Sequence, residues 1–158
     1  METFSLVSNV VVCLAILCVG VTYGTDAFFA LVGQRALVLS SEGGVTDVMG
    51  HIHEVADARM PLVGALGILA TVAFLVLAGL GTIASTLAIV ALVAQLLFLV
   101  LYNVYSKPIN VQLKQAARSG QVLVDVRQLQ ARWNRVVVAR TILLLIAMVC
   151  LLIAALAL

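Results

Sequence analysis

Four long apolar runs divide the chain into spans and connecting segments. The runs cover residues 6–29, 61–80, 83–105 and 136–158. About 20 apolar residues in a helix are enough to cross the hydrocarbon core of a bilayer, so each run predicts one membrane-spanning helix. Little more than "GTIAS" separates the second and third runs, and glycine and serine suit a tight turn. The pattern predicts an all-α, polytopic membrane four-helix bundle that forms one domain, residues 1–158.

Two polar segments, residues 34–60 and 106–135, connect the spans on one side of the predicted bundle. Apolar side chains in the first segment recur at helical spacing, which predicts an amphipathic helix. Arg59 falls inside the apolar face of that helix, which is unusual for a helix that lies on a membrane. In the second segment, Ser119-Gly120 separates two further amphipathic stretches, and the later one runs into the fourth span.

The composition agrees with a membrane location. Hydrophobic residues make up 64% of the chain and charged residues only 10%, whereas about a quarter of the residues in ordinary soluble domains are charged. The first apolar run follows no basic residue and is too long for the apolar core of a signal peptide, so we expect a retained helix. The three cysteines lie inside apolar runs without metal-ligand or disulfide spacing, which favours buried apolar roles.

All nine lysine and arginine residues lie in or beside the two polar segments. Basic loops stay in the cytoplasm in multi-pass membrane proteins, so both segments are predicted to be cytoplasmic and both termini extracytoplasmic. Topology and anionic lipid account for this charge, and no nucleic acid is needed to explain it. Arginine is more frequent than lysine, and the commonest residues are alanine, valine and leucine. This composition favours a protein of the bacterial inner (plasma) membrane.

Asp26, in "GTDAFF", lies near the cytoplasmic end of the first predicted span. An ionisable side chain at the centre of a spanning helix costs roughly 2.5–3.5 kcal/mol. Asp26 therefore either reaches the interface or meets a compensating partner. Arg59 is the predicted partner, because it has the opposite charge, lies in apolar surroundings and belongs to the same side of the membrane. The sequence thus predicts a structural ion pair between Asp26 and Arg59.

His53 and Asp57 are four residues apart in a predicted helix, so their side chains can meet. A carboxylate that fixes an imidazole tautomer is a common general-base arrangement, and we predict His53, Asp57 and Asp26 as candidate catalytic residues. His51 lies two residues from His53, so the two histidines cannot bind one metal ion from the same helix. A metal site would need ligands from elsewhere in the chain, and none is predicted. The alternative is that both histidines are solvated side chains at the membrane interface.

Polar and aromatic residues of the third and fourth spans and of the segment between them complete the candidate site. Tyr102 shares a helical face with Gln95 at seven-residue spacing, and such side chains either pack helices together or line a ligand cavity. Trp133 is by default an anchor at the membrane interface. Arg140 lies seven residues further on the same helical face, and it either extends toward the headgroups or turns into the bundle.

Several short motifs resemble a known family of membrane proteins. "KPINVQLKQAA", followed by a spacer and by "ARWNRVVVAR" before a closing apolar helix, resembles the anthrone oxygenase-like family, DUF1772. That family has an asparagine a few residues after a proline, then a tryptophan, then an arginine at the head of the last helix. Pro108, Asn110, Trp133 and Arg140 match this pattern, and Asn134 fits more loosely. "HEVADARMP" and "GTDAFF" resemble a bacterial branch of the family.

The resemblance implies a reaction as well as a fold. Named family members are implicated in oxidising anthrones to anthraquinones, which requires no cofactor: a base removes an acidic C–H proton, and the carbanion reduces O₂ directly. His53 with Asp57 would be the base. The residues that would bind the substrate are Asn110, Trp133, Arg140 and Tyr102. We therefore predict a cavity that takes an apolar aromatic molecule, opens on the cytoplasmic side and is lined by Asp26, His53, Asn110, Trp133 and Arg140.

Two other functional classes are alternatives to an enzyme. The first is a non-catalytic membrane subunit or scaffold, in which polar residues only hold the helices together. The second is a haem-, copper- or quinone-binding protein that uses His51 or His53, and it ranks lower because no pair of histidines within one span suits haem. A transporter is disfavoured, since the sequence has neither repeats nor broken spans. The sequence leaves open whether the protein forms a homo-oligomer.

The distribution of basic residues predicts where the C-terminus lies. A reporter enzyme that is active only outside the cytoplasm, fused after Leu158, should be active in bacterial cells. The same fusion to a reporter that is active only in the cytoplasm should be silent. The opposite result would reverse the topology and move both polar segments out of the cytoplasm.

Overall fold

The computed structural model describes residues 2–157, and the side chains of residues 6–157. Its α-helices are α1 (Glu2–Phe28), α2 (Gln34–Leu39), α3 (Glu42–Ala78), α4 (Ile83–Leu101), α5 (Lys107–Ser119) and α6 (Val126–Leu156). A π-helical turn, Phe29–Gly33, continues α1 into α2, and a second one, Tyr102–Ser106, continues α4 into α5.

The predicted all-α four-helix bundle is confirmed. The described residues contain no β-strand. Four helical stretches are long and apolar enough to cross a membrane, and they are Leu6–Leu39, Glu42–Ala78, Ile83–Ser119 and Val126–Leu156. The length and composition of these helices therefore define a multi-pass helical membrane protein.

The polar segments are helical, as their periodicity predicts. One continuous helix, α3, covers both the predicted amphipathic helix and the second apolar run, with Pro61 inside it. The predicted break at Ser119-Gly120 is confirmed, because α5 ends at Ser119 and Gly120 has a left-handed φ of 66°. The N–H groups of Gly120 and Gln121 donate to carbonyls of the last turn of α5, which is how a glycine commonly terminates a helix.

The chain forms two compact units. One, which we call the apolar unit, consists of Met1–Gly24, Pro61–Phe98 and Ile142–Leu158. The other, the polar unit, consists of Thr25–Met60 and Leu99–Thr141. Glu2 is the only acidic residue in the sequence of the apolar unit, whereas all nine basic residues and both histidines belong to the polar unit.

The apolar unit packs through small residues and one buried hydrogen bond between helices. Its core is rich in alanine, and small side chains let membrane helices approach closely. The Gln95 side chain donates to the Thr71 hydroxyl at 2.8 Å, and that hydroxyl donates to the Gly67 carbonyl at 2.8 Å. Of the two predicted roles for Gln95, helix packing is the one that these bonds serve.

The predicted hairpin between the second and third spans is a tight turn. Gly79 and Gly81 adopt left-handed φ angles of 71° and 86°, which glycine adopts without steric cost. Thr82 and Ser85 then cap the start of α4 reciprocally: the N–H of Thr82 donates to the Ser85 hydroxyl at 3.1 Å, and the N–H of Ser85 donates to the Thr82 hydroxyl at 3.0 Å.

The polar unit has its own apolar core. The buried side chains come from α2, α3, α5 and α6, and they include Leu37, Val45, Met49, Ile109, Leu113, Val126, Leu129, Trp133 and Val137. Helices α3 and α5 approach closely at Gly50, where an added methyl group would collide with Ala117 and lie 2.6 Å from the Leu113 carbonyl oxygen. Backbone atoms cannot move aside cheaply, so the absence of a side chain at Gly50 sets the distance between these helices.

Gly50→Ala should therefore destabilise the protein by roughly 1–3 kcal/mol through overpacking. Gly64→Ala is the matched control, because Gly64 lies in the same helix and an added methyl group would meet nothing within 4 Å. The control should be neutral or stabilising by up to about 1 kcal/mol, since alanine favours a helix over glycine. Thermal unfolding of both variants in the same detergent measures the difference, and equal stabilities would refute the close approach.

Candidate functional site

A polar stripe with four-residue spacing runs along the second π-helical turn and α5. Its members are Tyr102, Ser106, Asn110 and Lys114. Side chains four residues apart lie on the same face of a helix, so the stripe presents a hydroxyphenyl, a hydroxyl, an amide and an amine to its neighbours. Ser106 and Asn110 are buried, and Tyr102 and Lys114 are partly exposed.

Asp57 of α3 accepts hydrogen bonds from three members of this stripe. One carboxylate oxygen accepts from the Tyr102 hydroxyl at 2.7 Å and from the Asn110 amide at 3.0 Å. The other oxygen accepts from the Lys114 amine at 2.7 Å, and the two groups form an ion pair. Charge-assisted hydrogen bonds are the strong ones, so Asp57 ties α3 firmly to the stripe.

The second ion pair joins Asp26 to Arg140 and is almost completely buried, with side-chain exposures of 5% and 9%. The guanidinium donates to one Asp26 oxygen at 2.7 Å and to the Ser106 hydroxyl at 2.8 Å. Its central carbon also lies 5.6 Å from the centre of the Tyr102 ring, within the range of a cation–π interaction. The Arg140 side chain therefore turns inward, which is one of the two alternatives that its position predicted, and does not extend toward the headgroups.

The predicted ion pair between Asp26 and Arg59 is wrong. Asp26 pairs with Arg140 instead, and Arg59 is exposed. The Arg59 side chain contributes to a shallow, mostly apolar groove on the surface of the polar unit. Helical phase placed Arg59 among apolar residues correctly, but Ile52 and Val55 beside it are exposed. A long flexible cation there needs no carboxylate.

Trp133 of α6 lies between the hydrogen-bond network and His53. Its indole N–H donates to the Asn110 side-chain carbonyl at 3.1 Å. Its ring contacts the His53 imidazole, with ring centres 5.3 Å apart and planes tilted by 58°. The Phe29 ring meets Trp133 edge-on at 5.3 Å. Trp133 is buried, so it acts as a structural centre of the polar unit rather than as the surface anchor that its type suggests.

His53 is buried, and its Nε2 atom has no hydrogen-bond partner among the residues that the structure describes. The predicted hydrogen-bonded pair of His53 and Asp57 does not form among the described residues, because the carboxylate of Asp57 is taken by Tyr102, Asn110 and Lys114. A buried nitrogen without a partner is costly and uncommon. His53 therefore has the open position that a proton acceptor or a ligand-binding group needs.

The two histidines have different surroundings. His51 is exposed, and its ring nitrogens lie 3.5 Å from carboxylate oxygens of Asp47 and Glu54. Glu54 in turn pairs with Arg118 of α5. His51 thus matches the prediction of a solvated side chain, whereas His53 does not. Within residues 6–157, no three His, Cys, Asp or Glu side chains lie close enough together to hold a metal ion.

The structure brings most of the predicted site residues into one unit and adds others. Hydrogen bonds, ion pairs and ring contacts connect Asp26, His53, Asp57, Tyr102, Asn110, Trp133 and Arg140. Sequence reasoning missed Ser106, Lys114 and Phe29. The four-residue spacing from Tyr102 to Lys114 was the signal that could have found the first two, whereas no local pattern marks Phe29. The predicted cavity stays a prediction, because the surface groove of this unit includes none of these residues.

The fold and the site together define a class of protein: a multi-pass helical membrane protein with a buried, charged network. No protein-family model, curated protein or solved structure matches the chain significantly.

The buried ion pair predicts that substitutions of Asp26 and Arg140 have non-additive effects on stability, which the sequence analysis did not predict. Asp26→Asn and Arg140→Gln should each destabilise the protein by about 3–5 kcal/mol, because each leaves a buried charge without its counter-charge. The double variant should lose less than the sum of the two. Arg59→Gln is the control, and its effect should simply add to that of Asp26→Asn. Denaturation in detergent compares the unmodified protein, the three single variants and the two double variants that contain Asp26→Asn. Additivity between Asp26 and Arg140 would contradict the pair.

Proposed function

We propose that the protein is an integral membrane oxygenase that removes a proton from an apolar aromatic substrate and lets the resulting carbanion react with O₂. The observation that carries this proposal is the buried Nε2 atom of His53, which has no hydrogen-bond partner among the described residues. Oδ2 of Asp26 and Oε1 of Gln130 are also buried without a partner, but each of those side chains forms a hydrogen bond through its other polar atom. The resemblance of the chain to the anthrone oxygenase-like family supplies the substrate class.

The proposed reaction converts a methylene group between two aromatic rings into a ketone. His53 Nε2 takes one proton from the methylene carbon. The carbanion gives its electrons to O₂, a C–O bond forms, and the imidazolium returns the proton to give a hydroperoxide. Loss of the second C–H proton then breaks the O–O bond and leaves a carbonyl group and water. One O₂ is consumed per substrate, and no cofactor takes part.

The hydrogen-bond network has two tasks in this proposal. It holds His53 through Trp133 and Asn110, and it places a cation, Arg140, in the same buried unit. A cation and N–H donors stabilise the negative charge that develops on the substrate oxygen during proton removal. Direct substrate binding by Asn110, Trp133, Arg140 and Tyr102 remains part of the proposal, although each of them also donates to a protein acceptor.

Asp57 has a different role from the one that its spacing suggested. It does not orient the imidazole by a hydrogen bond, since its oxygens accept from Tyr102, Asn110 and Lys114. We propose that it fixes the polar stripe of α5 beside α3. The proposed location remains the bacterial inner membrane, with both termini outside. The polar unit is proposed to be cytoplasmic, because it contains all nine basic residues.

A non-catalytic membrane subunit or scaffold is the second candidate. The three hydrogen bonds to Asp57 favour it, because such complete pairing also serves to hold helices together. A scaffold assigns no role to Nε2 of His53, which has no hydrogen-bond partner among the described residues. Haem, copper or quinone binding through His53 is the third candidate, and a visible absorption band in the purified protein would support it.

His53→Gln should lower O₂ consumption with an anthrone by about 10²–10⁴-fold, which is the usual contribution of a general base. His51→Gln is the matched control, because His51 is exposed on the same helix and lies outside the network, and it should keep the activity of the unmodified protein. Oxygen-electrode measurements on purified, colourless protein provide the test. If the unmodified protein consumes no O₂, or if both variants remain equally active, the oxygenase proposal fails.

A further inference from the structure

The first π-helical turn holds an unusually close pair of residues. Gly33 ends the turn and is buried. A methyl group added at Gly33 would lie 2.6 Å from Cδ1 of Phe29 and 3.3 Å from Cε1 of the same ring. The Phe29 ring therefore lies directly against the backbone at Gly33, in a position that any larger residue would deny it.

The Phe29 ring is also held from other sides. It packs edge-on against Trp133, with ring centres 5.3 Å apart and planes at 89°. It meets Phe28 at 5.6 Å and 80°, and it contacts the apolar core of the polar unit. Such edge-to-face contacts stabilise a pair of aromatic rings beyond the burial of area alone. A ring displaced from Gly33 must disturb them.

Trp133 connects the position of the Phe29 ring to that of His53. Its indole contacts the imidazole at 5.3 Å, and its N–H is tied to Asn110. Because Nε2 of His53 has no hydrogen-bond partner, that atom makes no bond that would hold the imidazole in place. The ring contacts from Phe29 to Trp133 to His53 thus connect a turn at the end of α1 with the proposed base on α3.

We propose that Gly33 is a positioning residue for His53. The missing side chain lets Phe29 lie against the helix, Phe29 sets the position of Trp133, and Trp133 sets the position of the imidazole. The catalytic consequence of this proposal rests on the proposed function of His53, whereas the positional consequence rests on the contacts alone. A displacement of about 1 Å at a reacting group can cost roughly 10²-fold in rate.

The chain contains a single tryptophan, Trp133, so its fluorescence reports on this site alone. Gly33→Ala should shift the emission to longer wavelength and increase quenching by acrylamide, because a displaced indole becomes more accessible to water. Gly24→Ala is the matched control: Gly24 lies in α1, and an added methyl group would meet nothing within 4 Å. An emission spectrum of Gly33→Ala that equals that of the control overturns the proposal.

A second comparison tests whether the effect reaches His53 without any assay of activity. His53→Gln removes the imidazole from the indole, so it should change the emission spectrum in the Gly24→Ala background. In the Gly33→Ala background the contact is already disturbed, and His53→Gln should change the spectrum much less. Equal changes in both backgrounds would show that Gly33 does not position His53.

The variant Phe29→Leu tests whether Gly33 acts on Trp133 and His53 through the Phe29 ring. A smaller side chain leaves room for a methyl group at Gly33, so Gly33→Ala should have little further effect on fluorescence in the Phe29→Leu background. A full effect of Gly33→Ala in that background would show that the glycine acts through some other contact. Circular dichroism of every variant distinguishes a local displacement from a loss of helical structure.

Activity separates the inference from the proposed function. If the unmodified protein oxidises an anthrone, Gly33→Ala should lower kcat by at least about tenfold with little change in KM, and Gly24→Ala should not. An unchanged kcat together with shifted fluorescence would reject the positioning role. If the unmodified protein is inactive, the proposed function fails, and the fluorescence comparison with His53→Gln still decides whether Gly33 positions His53.

Discussion

The polar unit depends on the pairing of charges that have been taken out of water. Arg140 and Asp26 are almost completely buried, and desolvation of each would cost several kcal/mol if the other were absent. Ser106 satisfies a second guanidinium nitrogen. Because these three residues come from α1, the second π-helical turn and α6, the pair can form only when the three elements are correctly placed. The pair therefore disfavours any arrangement that buries one of these two charges without the other.

Asp57 imposes the same kind of constraint on α3 and α5. Its three donors, Tyr102, Asn110 and Lys114, all belong to the polar stripe that runs along the second π-helical turn and α5. If either helix rotated by one residue, the carboxylate of Asp57 would no longer face its three donors. The hydrogen bonds therefore determine the rotation of each helix about its own axis. The close approach at Gly50 determines their separation. Polar bonds and steric contact thus fix different degrees of freedom of the same helix pair.

His53 Nε2, like Oδ2 of Asp26 and Oε1 of Gln130, is buried without a hydrogen-bond partner among the described residues, but those two side chains form a hydrogen bond through their other polar atom. Buried polar groups normally find partners, and the exceptions concentrate where a protein does chemistry or binds a ligand. The imidazole is held by ring contacts with Trp133 and keeps Nε2 without a bond. A group that is fixed in position but not hydrogen-bonded at its reactive atom is suited to accept a proton. The two π-helical turns lie at the edges of this site, in agreement with the frequent occurrence of such turns at functional sites.

The amino-acid sequence by itself determined the class of fold, the four apolar helices, the tight hairpin and the break after α5, because each depends on local periodicity, length and turn chemistry. It also identified His53, Asn110, Trp133 and Arg140 as candidate residues. It could not choose the partner of Asp26, since Arg59 and Arg140 both satisfied the rule of opposite charge, nor could it show that Asp57 bonds to Tyr102 rather than to His53. Those choices depend on distances between helices that are far apart in sequence, and only the packing of the helices decided them.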